Sequence, residues 1–280
     1  MFQVSASIVL YHNTEREIEK VINSFFKTSL LSVKLYLIDN SSNCNLKILK
    51  KIDSRIEYIY NDANIGYGKA HNIAIRKSIE KNIPYHIVLN PDIYFDENVI
   101  DELYRYMENN KSIGNIIPEV LYPNGKKQYL CKLLPTPADL IFRRFMPLKK
   151  WKDKRNKTYE LRFSRYNKIM NIPSLSGCFM FLRNDVLKEV GLFDENIFMY
   201  LEDTDLNRRI HIKYKTIFYP KVSIVHEYGK ESYVNKKLLG YHIKSAIYYF
   251  TKWGWILDKE RDVINNNCLR ELNYKKGEDI

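Results

Sequence analysis

Four short apolar runs, each ending in or closely followed by polar residues, limit most strongly how this chain can fold. They read VSASIVLY, VKLYLIDN, SRIEYIY and PYHIVLN, beginning at residues 4, 33, 54 and 84. Runs of this length, rich in Val, Ile and Tyr, predict buried strands. Between them lie stretches with a helical period. TEREIEKVINSFFKT (14–28) puts Ile18, Val21, Ile22, Phe25 and Phe26 on one face, and Thr14 before Glu17 is a capping-box pair. GKAHNIAIRKSIEK (68–81) and DENVIDELYRYMENN (96–110) predict two more helices. Strands alternating with helices imply βαβ units and a mostly parallel sheet of an α/β fold.

In such sheets ligands bind beyond the carboxyl ends of the strands. Those ends are Tyr11-His12-Asn13, Asp39-Asn40-Ser41, Asn61 to Asn64, and Asn90-Pro91-Asp92. One polar strand end is a turn. Four on one rim point to a site.

From 134 to 170 the rhythm is lost. The stretch is basic and aromatic, with Pro135, Pro137 and Pro147 as breakers and Arg143, Arg144, Lys149, Lys150, Lys152, Lys154, Arg155 and Lys157 close together. Order returns with IPSLSGCFMFLRNDVLKEVGLFD (172–194), a helix YLEDTDLNRRIHIK (200–213), a strand KTIFYPKVSIVHE (215–227), and an aromatic, Lys-rich helical tail KKLLGYHIKSAIYYFTKWGWI (236–256). The expected organisation is a catalytic domain over 1–232, in which 134–170 faces an acceptor or a membrane, and a helical extension over 233–280.

Hydrophobic residues are 45% of 280, enough for a sizeable core, and the net charge of +12 asks for an anionic partner. The four cysteines, Cys44, Cys131, Cys178 and Cys268, have no C-x-x-C spacing, which argues against zinc and suits a reducing compartment. Nowhere do 18 apolar residues run together, and MFQVSASIVLY reads as a first strand. A cytoplasmic protein, peripheral on the inner face of the cell membrane, is expected.

The polar clusters allow a plain and a chemical reading each. Asp39 closes an Asx-turn, or accepts from a base imide or a ribose hydroxyl. In NDANIGYGKAHN, Asn64, Gly66, Gly68 and Asn72 lead into a helix whose N-terminus favours a phosphate; the dinucleotide pattern G-x-G-x-x-G is absent. Asp92 caps a turn, or holds a divalent cation against a diphosphate. Glu202, Asp203 and Asp205 complement a helix dipole, or supply a general base. His226 is structural, or completes a metal site.

In this order the motifs VLYHN, LIDNSS, NIGYGKAHN, LNPD, SGCFMFLR, GLFDENIFMYLEDTDLNRR and VHEYGKES resemble family 2 of the glycosyltransferases, of GT-A fold, and its rhamnosyltransferase-like branch of bacterial surface polysaccharide synthesis. The resemblance runs from about residue 4 to 232. It implies Asp203 as catalytic base with Glu202 orienting the acceptor. It implies Tyr11, Asn13, Asp39, Asn64, Gly66, Asn72 and Asn90 on the donor nucleotide, and Asp92 with His226 on Mg²⁺ or Mn²⁺. The usual Asp-x-Asp is Asn90-Pro91-Asp92 here, which removes one charge beside the metal. The implied donor is dTDP-L-rhamnose, with UDP-galactofuranose, UDP-galactose or UDP-N-acetylglucosamine as alternatives. The implied acceptor is a lipid-linked glycan at an anionic membrane surface. A non-catalytic glycan-binding relative is a further reading. A nucleic-acid binder is disfavoured, because the acidic rim repels phosphates and no recognition motif is present.

Overall fold

In the computed structural model, which describes residues 1–28, 30–142, 149–227 and 236–274, the four apolar runs become neighbouring strands. They are β1 (Val4–Leu10), β2 (Val33–Asp39), β3 (Ile56–Tyr60) and β4 (Tyr85–Leu89). They pair in parallel in the order β3-β2-β1-β4. Two helices cover β1, α1 (Glu15–Phe26) and α2 (Tyr67–Glu80). Val4, Ala6, Ile8 and Leu10 pack with Ile18 and Ile22 of α1, while Ser5, Ser7 and Val9 face α2. Both faces are therefore dry, which is why β1 reads as a nearly continuous apolar run. The capping box forms: the Thr14 hydroxyl accepts from the Glu17 N–H, and the Glu17 carboxylate accepts from the Thr14 N–H at 2.9 Å.

The sheet continues through later elements. In chain order these are β5 (Ile93–Phe95), α3 (Asn98–Asn109), β6 (Ile113–Leu121), β7 (Cys131–Lys132), α4 (Lys149–Tyr159), β8 (Met170–Asn171), β9 (Ser174–Leu175) and β10 (Phe179–Arg183). Then come α5 (Asn184–Val190), α6 (Glu202–Lys213), β11 (Lys215–His226), α7 (Lys236–Trp253) and α8 (Lys259–Glu271). Beyond β4 the order is β10-β6-β11-β5, with β8 also on β11 and a separate β7–β9 pair. β10 runs antiparallel to both β4 and β6, and β11 is parallel to β6. Two reversals restore direction, so the end of β11 at His226 arrives on the same rim as Asn90.

Several expectations shift. The helix predicted from 96 begins at Asn98, and Ile93–Phe95 ahead of it forms an edge strand. The helix predicted from 200 begins at Glu202, because Tyr200 and Leu201 hold left-handed backbones with φ of 68° and 69°. Such residues cost about 1–3 kcal/mol each unless their surroundings hold them. Here Ser245 of α7 donates to the Met199 carbonyl at 2.7 Å, and Leu201 packs on Ala246, Tyr249 and Phe250.

The stretch expected to be irregular between 134 and 170 contains α4 and enters the core through Tyr159, Leu161, Tyr166 and Met170. The Tyr166 hydroxyl accepts from the Cys131 N–H at 3.0 Å and donates to the Glu160 carbonyl at 2.7 Å. Arg143 and Arg144, and Tyr228 to Ser232 of VHEYGKES, lie outside the described residues. Trp253, in the aromatic helical tail, is turned onto α6. Its indole N–H donates to Asp205 at 2.8 Å, and the Arg208 guanidinium lies 4.0 Å from its ring centre. Arg208 is 1% exposed and forms a bidentate pair with Asp258 at 2.7 Å for both bonds. Trp255, Ile256 and Leu257 form the exposed part of that turn, at 40%, 82% and 89%. Among the described residues no helix is long and apolar enough to cross a membrane.

Candidate active site

At the rim where β1, β2, β4 and β11 end, a cleft of about 550 Å³ opens. Tyr11, Asn13, Asn64, Asn90, Asp92 and His226 all line it. Six of the eleven side chains singled out from sequence thus meet in one space.

At its floor Asp92 Oδ2 is 3.3 Å from His226 Nε2; the side chains are 37% and 5% exposed. Gln128 fixes the ring. Its amide N–H₂ donates to the His226 carbonyl at 2.8 Å and the Leu121 carbonyl at 3.3 Å, which turns its oxygen toward His226 Nδ1 at 3.0 Å. Nδ1 therefore carries a proton, and in the neutral ring the Nε2 lone pair faces the Asp92 carboxylate. The pair is joined either by a proton on Nε2, as an ion pair, or by a cation held between them. Asp92 Oδ1 is buried without a hydrogen-bond partner. These residues fit a divalent cation, with the histidine held by an outer partner in the usual way. Among the described residues no group of three or more His, Cys, Asp or Glu is placed to hold a metal. A cation here would take its other ligands from substrate and water, as Mg²⁺ does. Burial pushes the Asp92 carboxyl up, but the hydrogen bond and charge of His226, with help from Asn90, leave it below its ordinary value.

Glu202 and Asp203, which open α6, are not among the residues that line this cleft. The Gly177 N–H donates to Asp203 Oδ2 at 2.8 Å, and the Thr204 N–H donates to Oδ1 at 2.7 Å. A Cβ at Gly177 would lie 3.2 Å from the Asp203 Cβ, so the SGC loop approaches this closely because it lacks one. Glu202 is 6% exposed, and its Oε2 has no partner. Burial first, then the charge of Asp203, raises its carboxyl to about 8.

Tyr67 joins the two halves. Its hydroxyl stands 2.9 Å from Asn90 Oδ1 and 2.9 Å from the Gly177 carbonyl. Burial, and then the charges of Glu202, Cys178, Asp203 and Asp92, hold this hydroxyl well above the usual phenol range. One side chain thus lies within the field of every carboxylate of the site.

Other predicted residues stand outside the lining. Asp39 is fully buried; its oxygens accept from the Ser41 N–H at 2.8 Å and the Tyr58 hydroxyl at 2.6 Å. Ser41 Oγ accepts in turn from the His12 N–H at 3.0 Å, so Asp39 shapes the loop after β1 from beneath. Asn72 clasps another loop, accepting from the Phe193 N–H at 3.0 Å and donating to the Phe193 carbonyl at 2.9 Å and Glu195 at 3.0 Å. Gly66 does not leave its N–H open to a phosphate. That N–H donates to Asn64 at 3.1 Å, and the next, of Tyr67, donates to the Phe198 carbonyl at 2.9 Å. A Cβ at Gly66 would lie 2.6 Å from the Phe198 carbonyl oxygen, so the glycine serves chain packing.

The model of the family described as Glycosyl transferase family 2 matches residues 7–191. The chain belongs to glycosyl transferase family 2. Rhamnosyltransferase WbbL of Escherichia coli is 24% identical over 269 residues, covering 92% of this chain and 97% of WbbL. The N-acetylglucosaminyl-diphospho-decaprenol L-rhamnosyltransferase of Mycobacterium tuberculosis is 23% identical over 241 residues, 81% of this chain and 76% of that protein. Among solved structures, GalNAc-T7 with UDP, GalNAc and Mn²⁺ superposes with a TM-score of 0.60 at 16% identity, over 81% of this chain and 44% of that one. At that identity the likeness is one of fold, and it agrees with the α/β sheet expected from sequence.

In this family 2 chain two residues of the site carried no sequence signal strong enough to single them out. Gln128 sits in a turn (YPNGKKQYL) with no recognisable motif, and it is 3% exposed. Tyr67 lay inside the quoted NIGYGKAHN, but as one Tyr among 22 it reads as core.

Proposed function

We propose that this chain transfers L-rhamnose from dTDP-L-rhamnose onto a hydroxyl of a polyprenyl-linked glycan, with inversion at the anomeric carbon. The supporting observation is that the Tyr67 hydroxyl links Asn90, which stands beside Asp92 and His226, to Gly177, whose N–H donates to Asp203. The printed names of the two relatives favour rhamnose. Tyr11, Asn13 and Asn64 hold the nucleotide end of the donor, while Asp39, Gly66 and Asn72 act from beneath by fixing the loops. Asp92 and His226 hold Mg²⁺ or Mn²⁺, which when bound neutralises the charge of the diphosphate. Asp203 takes the proton of the acceptor hydroxyl as its oxygen bonds to the anomeric carbon; the bond to the diphosphate breaks on the opposite face. Glu202 orients the acceptor.

A UDP-sugar donor is the second reading, favoured by the UDP in the GalNAc-T7 structure of the same fold. A thermal-shift panel separates them. With Mn²⁺ present, dTDP and dTDP-rhamnose stabilise the protein more than UDP and UDP-sugars under the first reading, and less under the second. No response to any nucleotide overturns both and favours a non-catalytic relative.

For the lipid-linked acceptor, the turn of Trp255, Ile256 and Leu257 beside exposed Lys244 and Lys259 suits an anionic membrane surface on the inner face of the cell membrane. Each lysine near anionic lipid contributes about 1 kcal/mol. Ile256→Ser/Leu257→Ser lowers sedimentation with phosphatidylglycerol vesicles at low salt. Undiminished binding removes this turn from the docking surface.

A further inference from the structure

We propose that Tyr67 is a positioning residue for Asp203. Its hydroxyl holds the Gly177 carbonyl, and so keeps the Gly177 N–H on the carboxylate that takes the acceptor's proton. This rests on the general-base reading of Asp203 above and adds to it a residue from the start of α2.

The Asp203 carboxylate is held at two points. Its own helix supplies the first, the Thr204 N–H on Oδ1 at 2.7 Å. The SGC loop supplies the second, the Gly177 N–H on Oδ2 at 2.8 Å. The terminal torsion of an Asp side chain is broad, so with the first bond alone the carboxylate turns. The bond from Gly177 therefore decides where Oδ2 points. A general base must stand within hydrogen-bond reach of the hydroxyl it serves, and a misplacement of about 1 Å costs about a hundredfold in rate.

The loop is pinned on either side of Gly177. Asn207 donates to the Leu175 carbonyl at 2.9 Å, and the Asn90 N–H donates to the Cys178 carbonyl at 2.9 Å. Gly177 itself lies so close to Asp203 that a Cβ would stand 3.2 Å from the Asp203 Cβ and 3.4 Å from Oδ2. Its backbone is not left-handed, so glycine serves here for space and not for conformation. The missing Cβ permits the approach, and Tyr67 fixes it. The hydroxyl stands 2.9 Å from the Gly177 carbonyl and 2.9 Å from Asn90 Oδ1, on the residue whose N–H pins Cys178. The ring is anchored independently of the hydroxyl. It lies edge-on to His71, with centroids 4.4 Å apart, and packs against two apolar clusters. Phe at this position keeps that anchorage and loses only the grip on Gly177.

The two sides of Gly177 report separately. Its carbonyl, which Tyr67 holds, shares a peptide group with the Cys178 N–H. Its own N–H, which Asp203 holds, belongs to the peptide group before. Loss of the hydroxyl alone moves the Cys178 amide signal; displacement of the loop from Asp203 also moves that of Gly177. With ten glycines and four cysteines in the chain, protein labelled with ¹⁵N-glycine and ¹⁵N-cysteine gives a sparse spectrum. Gly177→Ala and Cys178→Ser assign the two signals.

The proteins compared are the parent, Tyr67→Phe, Asp203→Asn and the double variant. Tyr67→Phe shifts the Gly177 amide proton upfield and speeds its exchange with solvent. It lowers release of dTDP from dTDP-L-rhamnose, or of UDP from UDP-galactose if the thermal-shift panel selects UDP, about tenfold in the parent. In the Asp203→Asn background it lowers release no further. A Gly177 amide that stays in place while that of Cys178 moves overturns the positioning role and leaves Asp203 as the base. An equal loss of turnover in both backgrounds does the same. Near-normal turnover in Asp203→Asn overturns the base reading itself, whatever the amides do.

Discussion

Asp39 and Asp92 end neighbouring parts of one parallel sheet, and they differ in what surrounds them. Asp39 is fully buried, and both its oxygens accept hydrogen bonds from the chain. Asp92 is 37% exposed, faces an imidazole lone pair, and keeps one oxygen without a partner. The first carboxylate is spent on folding and the second is held open. Asn72 and Asn90 repeat the contrast: Asn72 is saturated by the 193–195 loop, while Asn90 touches only groups of the site. Within each pair the residue type is the same, and the pairs differ in how fully the chain satisfies the side chain.

The largest expected effect falls on the third carboxylate. Asp203→Asn lowers turnover about 10²–10⁴-fold, as for loss of a general base, with donor binding retained. Steady-state rates and nucleotide thermal shifts measured together check this, and near-normal turnover would sink the assignment. Next, Asp92→Ala abolishes the extra stabilisation given by Mn²⁺ with nucleotide, worth about 2.7 kcal/mol at a hundredfold excess over Kd, and barely moves the melting temperature of the ligand-free protein.

Asp39→Ala does the reverse. It strands the Ser41 N–H and the Tyr58 hydroxyl and costs about 2 kcal/mol in urea unfolding. If Asp39→Ala instead leaves stability intact and destroys nucleotide binding, the contrast between the two aspartates collapses.

A further effect is on pH dependence. Glu202 keeps its proton to about 8 in the folded chain, against an ordinary 4.5. Between those values the unfolded chain releases its proton first, so stability falls as pH rises. Glu202→Gln flattens that fall, and urea midpoints at pH 5 and pH 8 measure it. Equal slopes in the two proteins would show that Glu202 ionises normally.

How much was legible follows from the same distinction. Periodicity announced the first four strands and the helices between them, because both faces of β1 are dry and its apolar run is unbroken. Parallel pairing placed Tyr11, Asn64 and Asp92 on one rim. Their saturation could not be read, because the partners of Asp39 and Asn72 come from 2 to 123 residues away. Gln128 and His226 are 98 residues apart and meet because β6 and β11 pair in parallel. Trp253 looked like an interfacial aromatic in a Lys-rich helix. The acceptor that turns it inward, Asp205, sits 48 residues earlier.

The left-handed turn before Glu202 has a consequence in time. Its brace is α7, through Ser245 on Met199 and the apolar pocket around Leu201, and α6 is tied at its other side to Asp258. Synthesis proceeds from the N-terminus, so the Asp92–His226 pair is made before the α7 and Asp258 supports of the turn that opens α6.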